Sequence, residues 1–142
     1  MIDVADLTLT EAERRQLIVW TRACTMRLLP IFDADSPGDT RLRDALHGAA
    51  LFATGQLGVG DMRKRAFGCH AAAREAHTPE ATAVARAVGQ AVAVAHMAGH
   101  SREIARYTKK ALTGAALAEE LTWQREHVPA SFASYVFAQG VR

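Results

Sequence analysis

Apolar residues recur along this chain at spacings of three and four, the period of an amphipathic helix. No stretch alternates apolar and polar residues as a half-buried strand would. Leu17, Trp20, Cys24 and Leu28 make the first stripe. Thr10 precedes it with Glu13 three residues on, the reciprocal pairing that satisfies free N–H groups at a helix start. Pro30 is expected to limit this helix, and Asp33 to Asp39, around Ser36-Pro37-Gly38, reads as a loop. The second helix starts near Asp39 or Thr40, with Ser36-Pro37 as an earlier option. It turns Leu42, Ala45, Leu46, Ala49, Phe52 and Ala53 inward and stops at Gly55, which suits a left-handed cap.

Beyond Gly58-Val59-Gly60, a third helix is predicted from Asp61 to Ala76, with Met62, Ala66, Cys69, Ala73 and Ala76 as a slender core face. Thr78-Pro79 is a start signal, a capping side chain followed by a residue with no N–H to satisfy. The fourth helix runs on to Met97, and Gly99 interrupts the pattern. Ser101 caps a fifth helix reaching Leu112. Gly114 separates a sixth, with Leu117 and Leu121 inward, which ends before Pro129. Phe132 to Phe137 docks as a last helix. The pattern therefore predicts an all-α protein: a single domain over residues 1–142, folded as a compact bundle of six or seven helices. Short connections favour antiparallel neighbours. A stack of helical hairpins is the alternative, but no repeat period supports it.

Composition sharpens this picture. Alanine makes up about a fifth of the 142 residues; it loses no side-chain entropy in a helix and lets helices approach closely. Seventeen basic and 15 acidic residues leave a formal charge of only +2, which weighs against a nucleic-acid partner needing a concentrated basic face. Cys24 and Cys69 lie on apolar faces and read as buried free thiols, suited to a reducing cytoplasm. The start, Met1 to Asp6, lacks the basic and apolar regions of a leader. The most apolar stretch, Ala81 to Gly99, contains Arg86, Gln90 and His96 and is not expected to span a membrane.

Two constellations carry candidate chemistry. His96 and His100 are four residues apart, so on an unbroken helix both imidazoles face one way and could reach one metal. Glu103 and Tyr107 continue that row, and His70 is the candidate third ligand. The other reading is a histidine pair hydrogen-bonded between packed helices. On the third helix, Arg63, Phe67, His70, Arg74 and His77 make a continuous stripe, about 100° round from the core face. It either receives a partner's carboxylates or is a solvated face with Phe67 covered by a neighbour. Arg41 and Arg43, at a helix start where cations are disfavoured, call for acidic partners within the fold or on another protein. Trp123 stands off the Leu117–Leu121 stripe, as a partner anchor or a packing residue under the C-terminal segment. Catalytic serine, catalytic cysteine and phosphate-loop patterns are absent, so no enzyme is expected.

Several segments together resemble the immunity proteins related to the fifth predicted immunity family of bacterial polymorphic toxin systems. They are Asp39-Thr40-Arg41-Leu42-Arg43, His70-Ala71-Ala72-Ala73-Arg74, Ala87 to Val92 around Gln90, Ala95 to His100, and Tyr107 with Lys110-Ala111. The resemblance covers roughly residues 39 to 113. It implies an all-helical, cytoplasmic, non-enzymatic protein without cofactor that binds and neutralises a cognate protein toxin. Partner contact is then expected from Arg63, His70, Arg74, His77, His96, His100, Tyr107 and Trp123. The rival expectations are a metal-binding helical enzyme or sensor built on His96 and His100, and a protein that self-assembles through small residues at Ala81, Ala85, Gly89 and Ala93.

Overall fold

The structure is a computed structural model that describes residues 9–137. Among the described residues there are eight α-helices, one 3₁₀ helix and no strand. In chain order they are α1 (Glu11–Met26), α2 (Leu29–Asp35), α3 (Arg41–Ala53), α4 (Val59–Glu75) and α5 (Pro79–Ala93), then the 3₁₀ helix (Ala98–Glu103), α6 (Ile104–Ala111), α7 (Gly114–His127) and α8 (Ala130–Phe137).

The termini follow the chemistry of the sequence. The Thr10 hydroxyl accepts the Glu13 N–H at 3.1 Å, and the Glu13 carboxylate accepts the Thr10 N–H at 2.8 Å. Thr78 caps α5 through the Ala81 N–H, with Pro79 in the first turn. At the end of α3, Gly55 takes φ +79°; its N–H reaches the Phe52 carbonyl and the Gln56 N–H reaches the Leu51 carbonyl, so two open acceptors are satisfied. Gly114, with φ +61°, makes the turn into α7.

Four expectations are corrected. Pro30 does not only end α1: it opens α2, because a residue without an N–H costs nothing in a first turn, and this adds a helix to the six or seven predicted. The long apolar helix ends at Ala93, before Met97 and Gly99, and Gly99 lies within the 3₁₀ helix that follows. The Arg14 Nε–H donates to the Ala95 carbonyl at 3.0 Å, giving that oxygen a partner outside the helix ladder. Ser101 is buried within the 3₁₀ helix and caps nothing. Leu117 and Leu121 are only half-buried; the one buried residue of α7 is Gln124.

Helix α5 is the axis of the fold and packs against α1, α2, α3, α4, α6 and the 3₁₀ helix. Its buried side chains are all alanine, valine or glycine, so no large group holds the neighbours away. Ala81, Ala85, Gly89 and Ala93 are all buried within the chain, so the small-residue stripe is already used by internal neighbours. Larger residues fill the space around it, with Leu17, Ile18, Phe32, Leu42, Phe52, Met62 and Ile104 fully buried. Truncating such a side chain, as in Phe52→Ala, costs about 3–5 kcal/mol. Cys24 and Cys69 are buried free thiols, and burial pushes the Cys69 thiol up to about 12. None of the helices among the described residues is long and apolar enough to cross a membrane.

Candidate functional site

Helices α4 and α5 lie side by side, with the chain after α5 turning over their ends. That arrangement gathers most of the polar residues singled out from the sequence. Gly89 provides the room: a Cβ there would sit 2.7 Å from Cε1 and 2.8 Å from Nε2 of His70, so the imidazole lies flat against bare backbone. His70 Nδ1 is 2.8 Å from Arg86 Nη1, and since a guanidinium only donates, His70 accepts through that nitrogen. One turn on, Gln90 Oε1 is 2.6 Å from His100 Nδ1, which therefore carries its proton. The rings of His96 and His100 meet edge to face with centroids 5.2 Å apart. The helix is broken before Gly99, so the pair meets at a corner and the single face that an unbroken helix would give does not form.

Burial and neighbouring charges push two of these imidazoles, His96 and His70, toward the neutral form. Burial, the neighbouring His100 and the charges of Arg63 and Arg14 push His96 down to about 4 from an ordinary 6.5. His70 is also pushed down, first by burial and then by Arg86, His100 and Arg74. The His96 Nδ1 atom is buried without a hydrogen-bond partner. Among the described residues no three His, Cys, Asp or Glu side chains come together to hold a metal ion, so His70 does not complete a ligand set with His96 and His100.

The α4 stripe divides. His70 turns inward, while Arg63, Phe67 and Arg74 face solvent. Phe67 is not covered by a neighbour: it is 70% exposed, the most exposed of the large apolar side chains described. His77 lies beyond the end of α4 and serves the fold. Its N–H donates to both carboxylate oxygens of Asp35 at 3.1 Å, its ring lies 3.3 Å from the same group, and Ser36 adds a hydroxyl donor. Those donors, Ser36 first, hold Asp35 down at about 2.

Arg41 and Arg43 also find their partners inside the fold. Arg41 bridges Asp39 at 2.6 Å and Glu75 at 2.9 Å, and Arg43 pairs with Asp33. Trp123 stands apart from the histidines. It is half-buried, with the Arg27 guanidinium 4.3 Å above its ring and His127 stacked at 4.0 Å. The C-terminal segment covers Trp20 instead, through Phe137 at 5.8 Å. Tyr107 is half-buried on α6, flanked by Arg106 and Lys110.

Two residues of the site were not among the candidates chosen from the sequence. Arg86 and Gln90 are four apart on α5, the only long polar side chains on a helix otherwise built of small apolar residues beyond its first turn. That interruption was the available signal. With them, a single polar seam runs from Arg63 through His96, His100, Gln90, His70 and Arg86 to the Tyr107–Lys110 edge of α6.

The fold and this seam define an all-helical protein with a cationic, histidine-lined surface and an exposed aromatic beside it. Residues 7–131 match the model of a family described as Imm-5 like putative immunity protein. The chain belongs to that family. No curated protein and no solved structure matches it. Four of the five segments that carried the resemblance in sequence, around His70, Gln90, His96–His100 and Tyr107–Lys110, meet in the seam, whereas Asp39–Arg43 lies outside it in its own ion pairs.

Proposed function

We propose that this protein is a cytoplasmic, non-enzymatic immunity protein that neutralises a cognate toxin domain by binding it through the α4 face and the adjoining seam. Membership of an immunity-protein family carries the reading. The choice of surface is supported by Phe67, a large aromatic left 70% exposed between Arg63 and the His70–Arg74 turn. Aromatic and arginine side chains supply much of the energy in protein interfaces, and a ring exposed in the free protein gains by being covered. The net charge of +2 conceals a local basic field here, so the matching toxin surface is acidic.

Co-expression with candidate toxin domains tests this. Growth should be rescued together with a stable complex in size-exclusion chromatography. Phe67→Ala and Arg63→Ala should each weaken that complex by roughly ten-fold or more while leaving the melting curve unchanged. Rescue without any physical complex would overturn the binding mechanism. Full affinity in the Phe67→Ala, Arg63→Ala double variant would move the interface elsewhere.

A further inference from the structure

Beyond the histidines, the seam opens into a cleft between the first turns of α5 and the last turn of α6. It encloses about 330 Å³ and is lined by Pro79, Thr82, Ala83, Arg86, Tyr107 and Lys110. At about 30 Å³ per water, that volume holds roughly ten waters, enough for a side chain with part of its backbone. Two of the six lining residues are cationic and none is acidic. The nearby carboxylates are engaged elsewhere: Glu103 with Arg106 at 2.8 Å, and Glu75 with Arg41. Glu80 is exposed and does not line the cleft.

Arg86 is the unusual member. It is half-buried, and among the described residues no carboxylate pairs with it; its hydrogen-bond partner is a neutral imidazole nitrogen of His70. A guanidinium removed from water favours a compensating anion, and its planar fork suits a carboxylate. The contact with His70 fixes one Nη and leaves the rest of the fork for the cleft. Across it, the Lys110 ammonium lies 5.3 Å from the Tyr107 ring centre, a position that holds its charge over the aromatic face.

We propose that this cleft receives a glutamate or aspartate side chain of the toxin, its carboxylate held between Arg86 and Lys110 with its stem against Tyr107. The inference rests on the immunity reading for the owner of that carboxylate. The Arg86–His70 contact ties the cleft to α4, the helix that carries Arg63 and Phe67, so one partner can reach both.

The cleft can be probed without the toxin. The ¹⁵N-labelled full chain is titrated with N-acetyl-glutamate amide, with its neutral counterpart N-acetyl-glutamine amide, and with inorganic phosphate. The expected result is a saturable, salt-sensitive shift at the amides of Thr82, Ala83 and Tyr107 with the glutamate compound alone. Arg86→Gln should weaken it at least five-fold, and Lys110→Gln, a surface change that spares the fold, should weaken it less. No localised shift, an equal response to the glutamine compound, or tighter binding of phosphate would each overturn the proposal. Unchanged binding in the folded Arg86→Gln, Lys110→Gln double variant would do the same. With a captured toxin in hand, that double variant should lose at least ten-fold in affinity. Failure of the wild-type chain to bind any toxin would strike the immunity reading, whereas equal capture by wild type and double variant strikes the cleft.

Discussion

On the α1 side of the molecule, Arg14, Arg15 and Arg22 donate to the carbonyl oxygens of Ala95, Phe52 and Leu46 at 3.0, 3.2 and 2.9 Å. On the α4–α5 side, Arg63 and Arg74 show no hydrogen bond or ion pair with another described residue, and Arg86 touches only an uncharged imidazole. Arg14 and Arg15 sit at the C-terminal ends of α5 and α3, where a cation complements the negative end of the dipole, and Arg22 ties α1 to a carbonyl within α3. Those arginines are explained by the fold. The second group surrounds histidines whose protonation it opposes, an arrangement that fits an anion supplied from outside. Net charge cannot distinguish the two regions, because it counts both sets of guanidinium groups alike.

The contrast can be broken most sharply at a glycine. In Gly89→Ala the new methyl meets the His70 ring at 2.7 Å, so the imidazole or α4 must shift, at a cost of about 1–3 kcal/mol. Gly48→Ala meets the Arg65 side chain at 2.6 Å, but that chain can swing aside, and a loss below about 1 kcal/mol is expected. Urea melts compare the two; equal losses would mean that the seam is not a packed unit. Next comes Arg22→Met, which removes the bond to the Leu46 carbonyl and should cost about 1 kcal/mol. Arg63→Met and Arg74→Met should stay within about 0.5 kcal/mol of wild type, as surface changes without a partner do. A large loss in either would show that it, too, serves the fold.

The gentlest effect is that of pH. His96 binds its proton at about 4 in the folded chain and near 6.5 in the unfolded one, so below 6.5 the unfolded state takes up protons that the native state refuses. His70 acts in the same direction. Stability should therefore be full above pH 6.5 and decline as pH falls toward 4. His96→Gln should flatten that decline in thermal melts, and an unchanged slope would refute the assignment. Toxin binding should shift it too: an acidic group docked on the seam raises the histidine affinities, so complex formation takes up protons. Calorimetry in two buffers of different ionisation heat detects that uptake.

Much of the helical layout was legible because capping chemistry is local. Thr10 with Glu13, Gly55, Thr78-Pro79 and Gly114 act within a few residues of themselves and can be read where they stand. Pro30 was misread because the same ring stops one helix and starts the next; only the observed α2 separates the two uses. The end of α5 was misplaced because no residue from Val94 to Met97 is a breaker, and the Ala95 carbonyl turns to Arg14, 81 positions earlier. The site was legible in its letters and illegible in its grouping. His70, His96 and His100 were all singled out, but their meeting depends on the absence of a Cβ at Gly89 and on the corner after α5. His77 shows the converse, since its partner Asp35 lies 42 residues away and turns a stripe member into a brace.

Helix α7 contributes one buried side chain, and its hold on α1 runs through the Trp20 indole N–H to the Gln124 carbonyl at 3.0 Å and the Arg27 pairing with Glu120. Both tryptophans of the chain stand at that joint, Trp20 beneath it and Trp123 under the Arg27 guanidinium. Intrinsic fluorescence is therefore a gauge of how the C-terminal helices α7 and α8 are seated on α1. An emission change on warming would register the lifting of these helices from α1, at a place remote from the histidines.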